Sequence, residues 1–98
     1  MKDDEAVKRN QYNYVGTITD LNTLKYSIPF NIAVFFADNV RNSPPSEGAH
    51  GGVVFTLNHW DNQGVQICCL NNVDNGLYVR FLYSNTWSGW KTFNFVSL

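Results

Sequence analysis

Residues 53–83 are decisive for the fold and read VVFTLNHW-DNQG-VQICCL-NNVDNG-LYVRFLY. Three runs of β-branched, aromatic and other apolar residues are separated by two turns rich in Asn, Asp and Gly. This spacing is typical of an antiparallel β-meander. We predict strands over 53–60, 65–70 and 77–83, with Asn75-Gly76 as the sharpest hairpin signal in the chain.

The flanking sequence extends this pattern on both sides. The apolar run 28–37 predicts a strand that begins at a sheet edge at Pro29, since proline cannot donate a ladder hydrogen bond. Residues 90–96 predict a last strand, and Asp20 is expected to cap a single turn that carries Leu21 and Leu24 on one side. We therefore predict an all-β fold, a compact antiparallel β-meander or sandwich of about five strands. Residues 1–13 form a connector and residues 14–98 the domain.

Alternation along the strands assigns the faces of the predicted sheet. One face should carry Val53, Phe55, Leu57, Val65, Ile67, Cys69, Leu77, Val79, Phe81 and Tyr83. The opposite set is Val54, Gln66, Tyr78, Arg80 and Leu82, which is not cleanly polar. We expect this second face to be partly covered, by the N-terminal segment or by another chain.

Composition excludes several classes of partner. The 98 residues are 15% charged with a net charge of -1, so the positive footprint of a nucleic-acid binder is missing. No apolar run approaches the roughly 20 residues of a membrane span, so we expect no membrane insertion.

Cys68 and Cys69 are neighbours in a strand and point to opposite faces, so they should not pair with each other. Two free thiols suit a chain folded in a reducing compartment.

No arrangement of residues predicts catalysis, a cofactor or a metal. Asp61 and Asp74 lie in turns at opposite ends of one strand, about 20 Å apart, too far for a pair that cleaves a glycosidic bond. Asp38 and Asp74 should share an end, but two turn-forming aspartates are the simpler interpretation. His50 and His59 lie at opposite ends of a strand and should not share a metal ion.

A set of motifs spread over residues 20–93 resembles a known family. These are Asp20-Leu21-Asn22, the loop Asn42-Ser43-Pro44, and Tyr78-Val79-Arg80 followed by Trp87-Ser88-Gly89-Trp90. Together they resemble the knob-like domain of phage tail fibres and pyocin-type (tailocin) fibres. The resemblance implies a receptor-binding module of the virion, made in the bacterial cytoplasm, commonly a homotrimer and directed at bacterial surface polysaccharide. The alternative is a carbohydrate-binding or adhesin domain of a bacterial surface protein; an enzyme is a distant third.

The meander sorts the loops into two ends. One end brings together an aromatic platform fringed by amides, which suits the C–H faces and hydroxyl rims of sugars; its residues are Trp60, Asn62, Gln63, Tyr83, Asn85 and Trp87. The other end is polar and poor in aromatic residues, and a site there would involve Asn42, Asn72 or Asp74. We expect Trp90 to pack in the core and Arg80 to stack on a tryptophan face.

Overall fold

The computed structural model describes residues 13–26, 30–45, 49–60, 62–73, 76–93 and 96–98. It confirms the all-β fold: the described chain consists of strands, turns and two short 3₁₀ helices. The strands are β1 (Tyr14–Thr17), β2 (Phe30–Phe36), β3 (Gly51–Trp60), β4 (Gln63–Leu70), β5 (Leu77–Tyr83), β6 (Thr86–Trp87) and β7 (Lys91–Thr92), and the 3₁₀ helices are Leu21–Tyr26 and Ala37–Asn39. The described helices include none that is long and apolar enough to cross a membrane.

All described strands belong to one open sheet, in which β1 to β5 follow chain order. Strands β2 to β5 form the predicted antiparallel meander. Strand β1 departs from it by running parallel to β2. Of the two architectures expected, the described residues therefore form the meander in a single layer and not the sandwich.

The end of the chain differs from the long strand predicted over 90–96. Two two-residue strands, β6 and β7, both pair with β5. Between them, Ser88 forms hydrogen bonds with both backbone groups of Phe81. Its Oγ accepts from the Phe81 N–H at 2.9 Å, and its own N–H donates to the Phe81 carbonyl at 2.7 Å. Because a side chain replaces a backbone partner here, the ladder is interrupted and Trp90 turns out of the sheet.

The two faces of the sheet hold the residues that alternation assigned to them, as the cross-strand pairs Leu57–Val65–Phe81 and Phe55–Ile67–Val79 confirm. The expectation that the second face is covered is confirmed, and this face is the more buried of the two. The mixed set is the core face, because the 3₁₀ helix Leu21–Tyr26 lies over it and inserts Leu21 and Leu24. The predominantly apolar set remains partly open to solvent.

A row of polar side chains crosses the core face through all four central strands. Asn31, Thr56, Gln66 and Arg80 are paired in register from β2 to β5, and all four are buried. The Gln66 amide donates to the Leu21 carbonyl at 2.9 Å and to Thr56 Oγ1 at 3.1 Å. The row therefore fixes the 3₁₀ helix to the sheet by hydrogen bonds as well as by apolar packing.

Several expectations can be placed on this fold. The Asp20 cap is confirmed, since Asp20 Oδ1 accepts from the Asn22 N–H at 3.0 Å. Both cysteines are free, Cys68 being buried in the core and Cys69 half-buried on the opposite face of the sheet. The predicted strand start at Pro29, the hairpin residues Asp74 and Asn75, and the connector before Asn13 lie outside the described residues.

Candidate functional site

A polar cleft of about 550 Å³ lies on the core side of the sheet, beside the C-terminal half of β5. It is lined by Asn22, Asn42, Ser43, Arg80, Asn85, Thr86, Trp87, Ser88, Gly89 and Trp90. The two indoles provide apolar walls, and amide and hydroxyl groups surround them. A cavity of this size is in the range of small-ligand sites.

Arg80 forms the inner wall of the cleft between the two tryptophans. Its guanidinium carbon lies 4.1 Å from the Trp87 ring centroid and 4.7 Å from that of Trp90, which confirms the predicted cation–π contact. Nε donates to Gln66 Oε1 and Nη2 to Asn22 Oδ1, both at 2.8 Å. Arg80 therefore joins the buried polar row to the walls of the cleft.

The charge of Arg80 is held in a desolvated place. The side chain is only 4% exposed, and burial lowers its pKa to about 10, so it stays protonated at neutral pH. Among the described residues it has no ion pair within 4 Å, although the charge of Asp20 acts on it from further away. The indole N–H of Trp87, also buried, makes no hydrogen bond to the described residues.

Asp20 supports the cleft from behind. Asn42 Nδ2 donates to its Oδ1 at 2.8 Å, and the Arg41 guanidinium lies 3.9 Å from its Oδ2. Burial acts to raise the pKa of Asp20, but the hydrogen bonds from Asn42 and from the Asn22 backbone, with the charges of Arg41 and Arg80, outweigh it and hold the pKa below its usual value. The carboxylate is thus ionised and committed to holding the loop.

The position of Asn42 corrects the predicted sorting of loops. Sequence reasoning placed it at the polar end together with Asn72, but the Trp90 indole N–H donates to the Asn42 carbonyl at 3.0 Å. The segment 40–45 crosses back over the core side, because its Arg41 backbone pairs with Thr19 and Leu21. The polar end keeps Asn71, whose side chain accepts from the backbone N–H groups of His50 and Gly51.

The six predicted site residues do lie near one end of the sheet. Gln63 pairs with Tyr83, the Asn85 N–H donates to the Asn62 carbonyl at 3.4 Å, and Trp60 pairs with Gln63 in the ladder. Their side chains do not form one surface, however. Asn85 and Trp87 line the cleft, whereas Gln63 and Tyr83 line a shallow pocket on the opposite face of the sheet. Asn62 is exposed in its turn, and the Trp60 side chain lies outside the described residues.

Sequence reasoning missed the contributions of Asn22, Ser88 and Asn42 to the cleft. The signal was present, since each belongs to one of the motifs that carry the family resemblance. Their separation along the chain concealed the site, because Asn22 and Arg80 meet only through the packing of the 3₁₀ helix on the core face of the sheet. Asn42 and Asn85 both have positive φ angles, 65° and 66°, a conformation that asparagine tolerates better than most residues.

The chemistry available in the cleft is recognition by stacking and hydrogen bonding. Indole walls accept the C–H faces of a sugar ring, while amides and hydroxyls both donate and accept along its rim. The described lining contains no carboxylate, and the described residues contain no group of three His, Cys, Asp or Glu that would hold a metal ion. Comparison with protein-family profiles, curated proteins and solved structures finds no match to this chain.

Proposed function

We propose that this chain is a receptor-binding knob domain of a phage or tailocin tail fibre, and that its polar cleft recognises a bacterial surface polysaccharide. The observation that carries the proposal is the cleft itself, in which two tryptophans and a ring of amide and hydroxyl groups meet around Arg80. The motifs that resemble fibre knobs supply most of these residues. Motif and geometry therefore support the same surface.

Rigidity is a further reason to favour the cleft as the recognition surface. Arg80 is fixed by two hydrogen bonds and two aromatic contacts, and Trp90 is fixed by its bond to Asn42. A ligand entering the cleft would meet walls that are already ordered, so little conformational entropy would be lost on binding. Such preorganisation suits a protein that must bind a flexible polysaccharide.

The proposal extends to the assembly and location of the protein. A fibre knob would work as a homotrimer at the tip of the virion, where three clefts face the same cell surface. Repetition matters because a single saccharide contact is weak, and linked sites gain by effective concentration. The chain would be synthesised in the bacterial cytoplasm, consistent with its two free cysteines.

We propose a binding role and not an enzymatic one. Glycosidases use two carboxyl groups that flank the scissile bond. Asp20, the described acid that is hydrogen-bonded to residues of the cleft, is occupied by Asn22, Asn42 and Arg41. Incubation with glycans of a host that the domain binds should release no new reducing ends beyond a denatured control. Turnover in that assay would contradict this part of the proposal.

A carbohydrate-binding or adhesin domain of a bacterial surface protein is the second candidate. It would use the same cleft, and the difference lies in the parent reading frame. Collagen-like or coiled-coil shaft repeats upstream favour the fibre, whereas a secretion signal with a wall anchor favours the adhesin.

The cleft can be tested by closing it. Gly89 lines the cleft, and a Cβ built on it meets no atom within 4 Å, so Gly89→Gln adds a side chain at the rim without a clash. We expect Gly89→Gln to lose at least roughly ten-fold in affinity on a glycan array, the effect of about 1.4 kcal/mol, with an unchanged melting temperature.

Two controls make this test specific. Ser97→Gln adds the same side chain at an exposed position outside the cleft and should bind normally. Asn62→Ala removes an amide at the same end of the sheet but outside the cleft, and it should also bind normally. If Asn62→Ala abolishes binding while Gly89→Gln does not, the ligand sits on the turns and the cleft is not the site.

A further inference from the structure

The face of the sheet opposite the cleft is predominantly apolar, and its described members remain at least partly exposed. Within β2 to β5 its described members are Phe30, Ile32, Val34, Phe36, Val53, Phe55, Leu57, Gln63, Val65, Ile67, Cys69, Leu77, Val79, Phe81 and Tyr83. We call this set the open face. None of its members is fully buried, and Leu57, Phe81, Phe36 and Tyr83 are 42%, 47%, 60% and 72% exposed.

We propose that the open face is an interface that binds a second copy of this chain. None of its described members is charged. A charged side chain that lies beside it is Lys91, whose ammonium is 5.6 Å from the Phe81 ring centroid at the β5 margin. The largest apolar patch on a soluble monomer typically measures roughly 300–600 Å² and is often a functional surface. The four strands are paired over about seven residues each, which gives this face a flat footprint of about 450 Å².

The area fits association between two such faces. Two copies placed face to face bury about 900 Å² in total when each face is treated as flat. This is close to the ~1,000 Å² in total that separates specific interfaces from incidental contacts. Interfaces at this lower limit are mostly weak and transient, so we expect association at micromolar and not at nanomolar concentration.

The relief of the face is self-complementary. A shallow pocket of about 480 Å³ lies at one end, beside Leu57 and Tyr83, and one of about 470 Å³ lies at the other, beside Phe36 and Cys69. The two most exposed aromatic residues, Phe36 and Tyr83, stand at diagonally opposite corners, because β2 and β5 run in opposite directions. One face thus offers both the projecting rings and the hollows that would receive those of a copy.

Other parts of this chain are poorly suited to cover the face. Residues 1–12 include six charged side chains, Lys2, Asp3, Asp4, Glu5, Lys8 and Arg9, and few apolar ones. At the C-terminus the described residues 96–98 are themselves exposed. Binding of the open face to a lipid surface would require several basic residues around its margin. Lys91 is a single basic residue at that margin and does not meet this requirement.

Sedimentation velocity on the full chain across the micromolar range tests the inference. We expect a mass above the 11.2 kDa of one chain that rises with concentration. Leu57→Glu and Phe36→Glu place a carboxylate on the face at already exposed positions, so the fold should survive while association weakens at least roughly ten-fold, because a buried unpaired charge is costly. Circular dichroism on each variant monitors the fold.

The matched control is Val96→Glu, which makes the same change at an exposed apolar residue outside the open face. It should associate as the parent chain does. A parent chain that stays monomeric across the whole concentration range overturns the inference, even if it binds lipid vesicles. A Val96→Glu variant whose association is weakened as much as that of the two face variants overturns it too. A face-to-face contact joins two copies and is a pairing apart from the proposed homotrimer. It does not bear on glycan recognition, so a monomer that still binds glycan would overturn this pairing and leave the cleft intact.

Discussion

Asp20 connects the start of the 3₁₀ helix with the loop that closes the cleft. Its carboxylate accepts from the Asn22 backbone and the Asn42 side chain, and Arg41 lies beside it. These partners favour the ionised form and hold the pKa of Asp20 below the ordinary value of 3.8 against the opposing effect of burial. The unfolded chain therefore binds a proton more readily than the folded one.

This difference predicts a pH dependence of stability. The contribution of Asp20 to the free energy of unfolding is complete above the ordinary pKa of 3.8 and is lost as the pH falls through the lower folded-state value. Asp20→Asn should remove that part of the dependence, as measured by urea unfolding across the acid range. Asp38→Asn, at an exposed position, is the control. Equal pH profiles for Asp20→Asn and the parent chain would contradict the assignment.

Individual residues were predictable where a local rule applied to them. The cap at Asp20 and the separation of Cys68 from Cys69 follow from helix-start and strand geometry, and the stacking of Arg80 on a tryptophan follows from its chemistry. The joint stacking of Trp87 and Trp90 on Arg80 was not predictable, because it depends on the interruption at Ser88. That interruption is a hydrogen bond between β5 and a side chain seven residues further on, which no periodicity reveals.

At the scale of the element, the buried polar row is the least expected feature. Its members differ sharply in how well they are satisfied. Gln66 uses its amide on Leu21 and Thr56 and accepts from Arg80. Asn31, at the β2 end of the row, is fully buried, and neither polar atom of its side chain makes a hydrogen bond to the described residues.

Two substitutions in the same row should therefore act in opposite directions. Asn31→Leu replaces an unsatisfied amide by an apolar group of similar shape and should raise the free energy of unfolding by about 1–3 kcal/mol, the cost of an unpaired buried polar group. Gln66→Leu leaves Arg80 and the Leu21 carbonyl without their Gln66 hydrogen bonds, so it should lower the free energy of unfolding by at least about 1–3 kcal/mol. Chemical denaturation of both variants measures this. Destabilisation by Asn31→Leu would mean that Asn31 has a role in the fold that its lack of partners does not suggest.

The central elements were predictable because their signals are local and repeated. Strands β3, β4 and β5 lie within two residues of the expected bounds, since alternation and turn residues agree. Strand β1 was missed because it has four residues, includes Gly16 at a φ of 86° and carries a register irregularity. Which face forms the interior was not predictable from alternation, because the core face holds Gln66 and Arg80 and is buried only by the helix that lies over them.

Across the whole molecule, the sheet separates two surfaces with different chemistry. The cleft lies on the core side beside β5 and is polar, whereas the open face lies on the other side and is apolar. A ligand in the cleft would therefore leave the open face accessible to another copy. This separation allows assembly and recognition to be changed one at a time.

The two proposals together predict how affinity should depend on valency. Leu57→Glu lies outside the cleft lining, so it should leave the affinity for a soluble monovalent saccharide unchanged. Its binding to whole cells should fall by roughly 10²- to 10⁴-fold, the range by which linked sites exceed single ones. Gly89→Gln should lose both kinds of binding, since it blocks each cleft directly.

Calorimetry with a short saccharide from the host surface, paired with a cell pull-down, measures the two quantities on the same protein. Val96→Glu, which leaves both surfaces untouched, should behave as the parent chain in each assay. Loss of monovalent affinity in Leu57→Glu would mean that the ligand contacts the open face. Full cell binding by a monomeric Leu57→Glu would mean that one cleft suffices and that assembly adds nothing to recognition.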